Sequence, residues 1–163
     1  MIKPVHDRIL IESVYAISAI RSRIEHDGWV PGFIESPLVG YLGAYRDDEF
    51  CGFFMIREVS SLDIEIHACL LPEAVIHSRV LGVEVLNLLF NASSVERVSA
   101  PIIGSLVSAQ NYVRKLGFTR EGTLRNACRK NGSLLDVHLY GLTRNEFVEQ
   151  HPCPSLGTPS VDS

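Results

Sequence analysis

Two hydrophobic periods alternate along this chain, and the switches between them divide it into elements. Over 62–71, Asp63, Glu65 and His67 fall on one side of a period-two stretch, and Ile64, Ile66 and Ala68 fall on the other. That pattern predicts a half-buried strand. Similar runs predict strands at 1–5, 38–45, 50–58, 97–103, 119–124 and 134–140. Asp47-Asp48-Glu49 turns the second of these back on the third, and Lys130-Asn131-Gly132 joins the last two. Leu10, Val14, Ile17, Ile20 and Ile24 recur at three- and four-residue spacing, so one long helix is predicted from a cap at Asp7 to a stop at Gly28. Trp29-Val30-Pro31-Gly32-Phe33 then reads as a loop with two aromatics. A helix over 77–90, apolar on most sides, follows Pro72. Another starts near Ser105 or Ser108 and stops at Gly117. Strands interspersed with helices in this order predict an α/β (α+β) fold, a mixed central sheet with helices on its faces.

The chain has 163 residues, enough for one domain with its own core. That domain is expected over 1–149. From 150 to 163 the composition shifts to Pro, Ser, Gly and Thr and predicts a flexible tail. Fifteen basic against nineteen acidic residues leave a net charge of −4, which argues against a broad nucleic-acid-binding surface but allows a local basic groove. Apolar runs such as Val85-Leu86-Asn87-Leu88-Leu89-Phe90 are too short to cross a bilayer, and no secretory apolar region follows Lys3, so a cytoplasmic protein without membrane contact is expected. Cys51, Cys69, Cys128 and Cys153 form no CxxC pair and no zinc spacing. Reduced thiols and no metal site are the expectation.

Two stretches carry more than periodicity. One runs Lys115-Leu116-Gly117-Phe118 into Glu121-Gly122-Thr123-Leu124-Arg125. The other is Gly132 followed by Asp136, Tyr140 and Leu142. In this order and at these distances they resemble the C-terminal half of the GCN5-related N-acetyltransferases (GNAT), in particular the branch that acetylates ribosomal-protein N-termini. The upstream segment from Glu65 to Glu73 is similar to small acetyltransferase-like proteins encoded by bacteriophages. The resemblance implies a mostly antiparallel sheet, acetyl-CoA as cofactor, and transfer of the acetyl group to a primary amine of a protein N-terminus, a lysine or a small molecule. It implies a monomer or homodimer, located in a host cytoplasm or a virion if the protein is phage-encoded.

Acetyl transfer needs an anchored cofactor, a neutral amine and a route for the proton. The family holds the cofactor pyrophosphate on free N–H groups at a helix start. Arg79-Val80-Leu81-Gly82-Val83 is the matching segment here, although Glu84 stands where the family has a small residue. The same stretch also reads as the start of a buried helix. Glu65 and His67 are candidate bases on one strand face, or simply a polar face. The family's splayed strand implies that backbone groups of Cys69, Leu70 and Leu71 pair with the pantetheine arm. The family's general-acid tyrosine aligns with Val113. Tyr112 is its neighbour, turned by about 100° on a helix, and reads equally as core. Leu106 replaces a family asparagine, leaving Ser108 and Arg114 as candidate cofactor contacts. Trp29, Phe33 and Tyr140 either line the acceptor site or belong to the core. The departures at Glu84, Leu106 and Val113 motivate an alternative: a catalytically degenerate phage protein of the same fold, acting as a virion component or as a binder of a host protein.

Overall fold

The computed structural model describes residues 1–152. Seven strands, β1 (Ile2–Pro4), β2 (Val39–Arg46), β3 (Glu49–Glu58), β4 (Asp63–Leu70), β5 (Arg97–Ile103), β6 (Thr119–Lys130) and β7 (Ser133–Thr143), form one sheet in the order β1-β2-β3-β4-β5-β7-β6. All neighbours are antiparallel except β4 and β5, whose connection through a helix makes them parallel. Helices α1 (Arg8–Ala16) and α2 (Ser18–Ile24) cover one face, and α3 (Ser78–Ala92), α4 (Val107–Lys115) and α5 (Arg144–Gln150) pack on the other. The mixed, mostly antiparallel sheet with helices on both faces agrees with the expected fold.

Local chemistry explains the boundaries. Both tight hairpins use two-residue turns with positive φ, at Asp47-Asp48 and Asn131-Gly132, the geometry that matches strand twist. Asp7 caps α1 by accepting the Leu10 N–H at 3.1 Å. The single helix expected over 7–28 is broken at Ile17, whose backbone is extended (ψ 118°). Its apolar period survives the break because Val14 and Ile20 still reach the same cluster. Phe53, fully buried, centres that cluster with edge-on contacts to Tyr15 and Tyr41 at 5.2 and 5.5 Å, each worth about 0.5–1.5 kcal/mol beyond burial. The final hairpin is longer than its apolar pattern suggests, because a register shift between Leu124 and Cys128 interrupts the alternation. There Asn126, at φ 54°, gives its N–H to the Asp136 carboxylate at 2.9 Å. Helix α5 is not visible in the apolar period. Its signal is a capping box, Thr143 and Glu146 holding each other's backbone N–H groups. Most of the expected tail, from Cys153 onward, lies outside the described residues.

Candidate functional site

The parallel pair β4–β5 is joined at only three positions: Asp63 opposite Arg97, Ile64 opposite Val98, and Glu65 opposite Ser99. Beyond that vertex, β4 runs on to Leu70 against β3, and β5 runs on to Ile103 against β7, with no pairing between them. The Leu71 N–H donates to the Cys51 carbonyl at 2.9 Å. Antiparallel alternation therefore turns Cys69 toward β3 as well, and turns the backbone groups of Ile66, Ala68 and Leu70 toward β5; the Ile66 N–H closes the last pairing, on Ser99, and Ala68 and Leu70 lie over the gap. Of the three residues expected to offer free backbone groups, only Leu70 does so, and Ala68 joins it.

A ladder of side chains pins the vertex. Arg97 meets Asp63 at 3.2 Å and both Glu121 oxygens at 3.2 and 2.6 Å, and Ser99 donates to Asp63 at 2.9 Å. Glu121 reaches across β7 because residue 141 is glycine; a Cβ there would lie 2.4 Å from the Glu121 Oε1. At the open end, the Arg23 guanidinium of α2 donates to Ser108 Oγ in the first turn of α4 at 2.9 Å, joining the two walls. Burial pushes the Cys69 thiol on the near wall up to about 12, against the lowering influence of Arg23, so it stays protonated at neutral pH.

Glu65 stands at the vertex, 13% exposed, between Arg57 and His67. Its Oε2 accepts from Arg57 at 2.6 Å and its Oε1 lies 2.8 Å from His67 Nε2. Burial works against its charge, but the hydrogen bonds from His67 and Arg57 outweigh it and hold the carboxyl below its ordinary range. Glu65 is thus ionised and occupied at neutral pH, and a poor proton acceptor. A neutral His67 that donates through Nε2 keeps a lone pair on Nδ1, so the carboxylate selects the tautomer that leaves the imidazole basic. A cavity of about 240 Å³ opens here, lined by Arg57, Val59, Glu65, Ser99, Pro101 and Leu139 among others.

The segment expected to hold a pyrophosphate looks different from a loop. A 3-10 turn, Pro72–His77, runs directly into α3, and the Ser78 N–H is already bonded to the Val75 carbonyl. Arg79 and Val80 are exposed in the first turn of α3, and Val83 packs against the core. Gly82 lies inside the helix, buried, where a Cβ would sit 2.5 Å from the Tyr112 Oη and 2.7 Å from Leu116. Its role is close packing of α3 on α4. Tyr112 donates its hydroxyl to the Ser78 carbonyl at 2.8 Å, and burial raises its pKa, so the phenol remains protonated. Glu84 turns away from the start of α3 and pairs with the Met1 amino group at 2.8 Å. Arg114 is exposed on α4, beside Asn111 and over the Tyr140 ring.

Trp29, Phe33 and Tyr140 do not converge. Trp29 stacks on His26 and lines a second cavity, about 430 Å³, with Glu25, Asp27, Lys130 and Asn131. Phe33 stacks on Tyr41 at 5.0 Å. Tyr140 borders the vertex cavity but is 1% exposed, and its hydroxyl and His138 Nδ1 both meet the Oε1 of buried Gln110. Sequence reasoning does not find Arg57, Arg97 or Arg23, each of which depends on strand register or on a contact between distant elements, and it marks Glu121 only as part of a motif.

Solved structures share this architecture. A point mutant of spermidine N-acetyltransferase from Vibrio cholerae superposes with a TM-score of 0.76 at 15% identity, covering 92% of this chain and 98% of that one. The same enzyme in complex with CoA and spermine gives 0.76 at 15% identity, over 91% and 97%. The N-acetyltransferase PseH of Campylobacter jejuni, in complex with acetyl coenzyme A, gives 0.55 at 15% identity, over 67% and 70%. At such identities the likeness establishes the fold, that of the N-acetyltransferases. No curated protein matches the sequence. Residues 31–153 match the family described as "Protein of unknown function (DUF2824)", and the chain belongs to that family.

Proposed function

We propose that this protein is an acetyl-CoA-dependent N-acetyltransferase that acts on a primary amine. The observation that carries the reading is the parting of β4 from β5 at Glu65, with His67 hydrogen-bonded to that carboxylate. The neighbours with CoA or acetyl coenzyme A bound support it. The fit to such a cofactor is good along the crevice. The strand-edge groups of Ala68 and Leu70 suit an amide-bearing arm, as an added strand would. At the other end the Ser78 amide is used internally, so the Arg79 guanidinium, which makes no ion pair among the described residues, is the group for a diphosphate.

Acetyl-CoA, when bound, supplies an acyl group activated as a thioester. His67 takes a proton from the incoming ammonium or amine through Nδ1. Glu65 orients His67 and stabilises the imidazolium that results, and Arg57 keeps Glu65 ionised. The second reading, the same fold without turnover, is favoured by the engaged Tyr112 hydroxyl and Ser78 amide, together with Leu106 and Val113. Calorimetric titration with acetyl-CoA, followed by thiol release in the presence of amines, separates the two. Binding with turnover supports the enzyme. Binding without turnover of any amine supports the second reading, and no binding at millimolar ligand removes both cofactor roles.

A further inference from the structure

The acceptor's chemistry is written in how the charges beside His67 are already spent. Three carboxylates line the vertex cavity, Asp63, Glu65 and Glu121. Each has partners within the protein: Asp63 has Arg97 and Ser99, Glu121 has both terminal nitrogens of Arg97, and Glu65 has Arg57 and His67. Each of these carboxylates already neutralises an arginine, so a polyamine entering this cavity would find no carboxylate without a cation beside it.

The two arginines differ in what they have left. Arg97 gives both terminal nitrogens to Glu121, and its Nε, which makes no hydrogen bond, lies in ion-pair contact with Asp63. Arg57 spends one terminal nitrogen, on Glu65 Oε2, and its other donors have no partner among the described residues. Its side chain is 52% exposed where Glu65 is 13% exposed, and both line the cavity, so solvent and a ligand can reach the unused donors. That planar edge suits a carboxylate. Glu65 also fixes the spacing. Its two oxygens join Arg57 to His67, so the anion site and the proton acceptor lie one carboxylate and two hydrogen bonds apart. Val59, Pro101 and Leu139 leave the rest of the wall apolar, and about 240 Å³ admits a small molecule.

We infer that the acceptor is a small amine bearing a carboxylate within a few atoms of its nitrogen, an amino-acid-like zwitterion, and that Arg57 is the specificity residue that reads the carboxylate. This rests on the N-acetyltransferase reading above.

The test is acetyl-CoA-dependent thiol release with matched acceptors: β-alanine against propylamine, phenylalanine against phenethylamine, and spermidine. The wild type is expected to prefer the carboxylated member of a pair by about tenfold or more in kcat/KM, the scale of one charge-assisted contact. R57Q is expected to erase that preference, with the loss concentrated in KM for the carboxylated amine, and R57K to restore part of it. Equal or better use of spermidine or the decarboxylated amines by the wild type overturns the inference. So does a preference that survives in R57Q. Failure of every carboxylated amine while acetyl-CoA binds overturns it and leaves the cofactor reading standing; absence of acetyl-CoA binding overturns both.

Discussion

The imidazole of His67 meets the carboxylate of Glu65 at 2.8 Å, two residues apart on one face of the strand that leaves its parallel neighbour. In the proposed mechanism the carboxylate fixes the ring's tautomer, and the ring supplies the base. If that division of labour is right, His67→Gln lowers kcat by about 10²–10⁴, the usual worth of general-base assistance. Glu65→Gln also lowers it, by about tenfold or more, because an amide no longer dictates which imidazole nitrogen carries the proton. Steady-state acetylation rates decide this, and full activity in His67→Gln removes His67 from the mechanism.

Acid should erase what Glu65 contributes to stability. Its carboxyl lies below the ordinary 4.5 in the folded protein, since the His67 and Arg57 hydrogen bonds overcome the burial penalty. A group depressed on folding stabilises above its unfolded value, and that contribution disappears as pH falls through the lower folded value. The gap in urea midpoint between wild type and Glu65→Gln is therefore constant near neutrality and narrows below about pH 4.3. A gap that widens in acid contradicts the arrangement.

Gly82 and Tyr112 depend on each other. Alanine at 82 would press against the Tyr112 Oη at 2.5 Å and a Leu116 methyl at 2.7 Å, at a cost of about 1–3 kcal/mol. Tyr112→Phe gives up the bond to the Ser78 carbonyl, about 0.5–1.5 kcal/mol, but removes the atom in the way. The double variant is expected to lose less than the sum of the singles. Strict additivity in denaturant unfolding means the two helices do not meet here.

The vertex has its own test. Gly141→Ala would place a Cβ 2.4 Å from the Glu121 carboxylate and push it off Arg97. The pair is partly exposed, so the ion contact itself is worth under about 1 kcal/mol. The larger effect is expected in amide exchange, with Ile66 and Ser99 losing protection as the short pairing loosens. Unchanged exchange at those two amides would show that the ladder does not hold the vertex.

Much of this is legible in the residues alone, and the limits are physical. Alternation places Glu65 and His67 on one strand face, because side chains on a strand repeat every two residues. It cannot reveal Arg57 as their neighbour, since that depends on the β3–β4 register. Helical spacing from Leu10 to Ile24 hides the break at Ile17, because both helices address the same cluster. Glu84 reads as hostile to a phosphate until the fold shows it facing Met1. Gly82 reads as a loop glycine although it is a contact between helices, a distinction that only the position of Tyr112 makes.

The central claim is that the gap between β4 and β5 receives the thioester arm. Amide-resolved NMR during titration with acetyl-CoA tests it most directly. The account predicts saturable shifts at Ala68 and Leu70, whose N–H groups face the gap, with smaller ones at Ile66 and Ser99. Saturating acetyl-CoA that leaves the Ala68 and Leu70 amides unmoved, or that moves only residues around the Trp29 cavity, would contradict it.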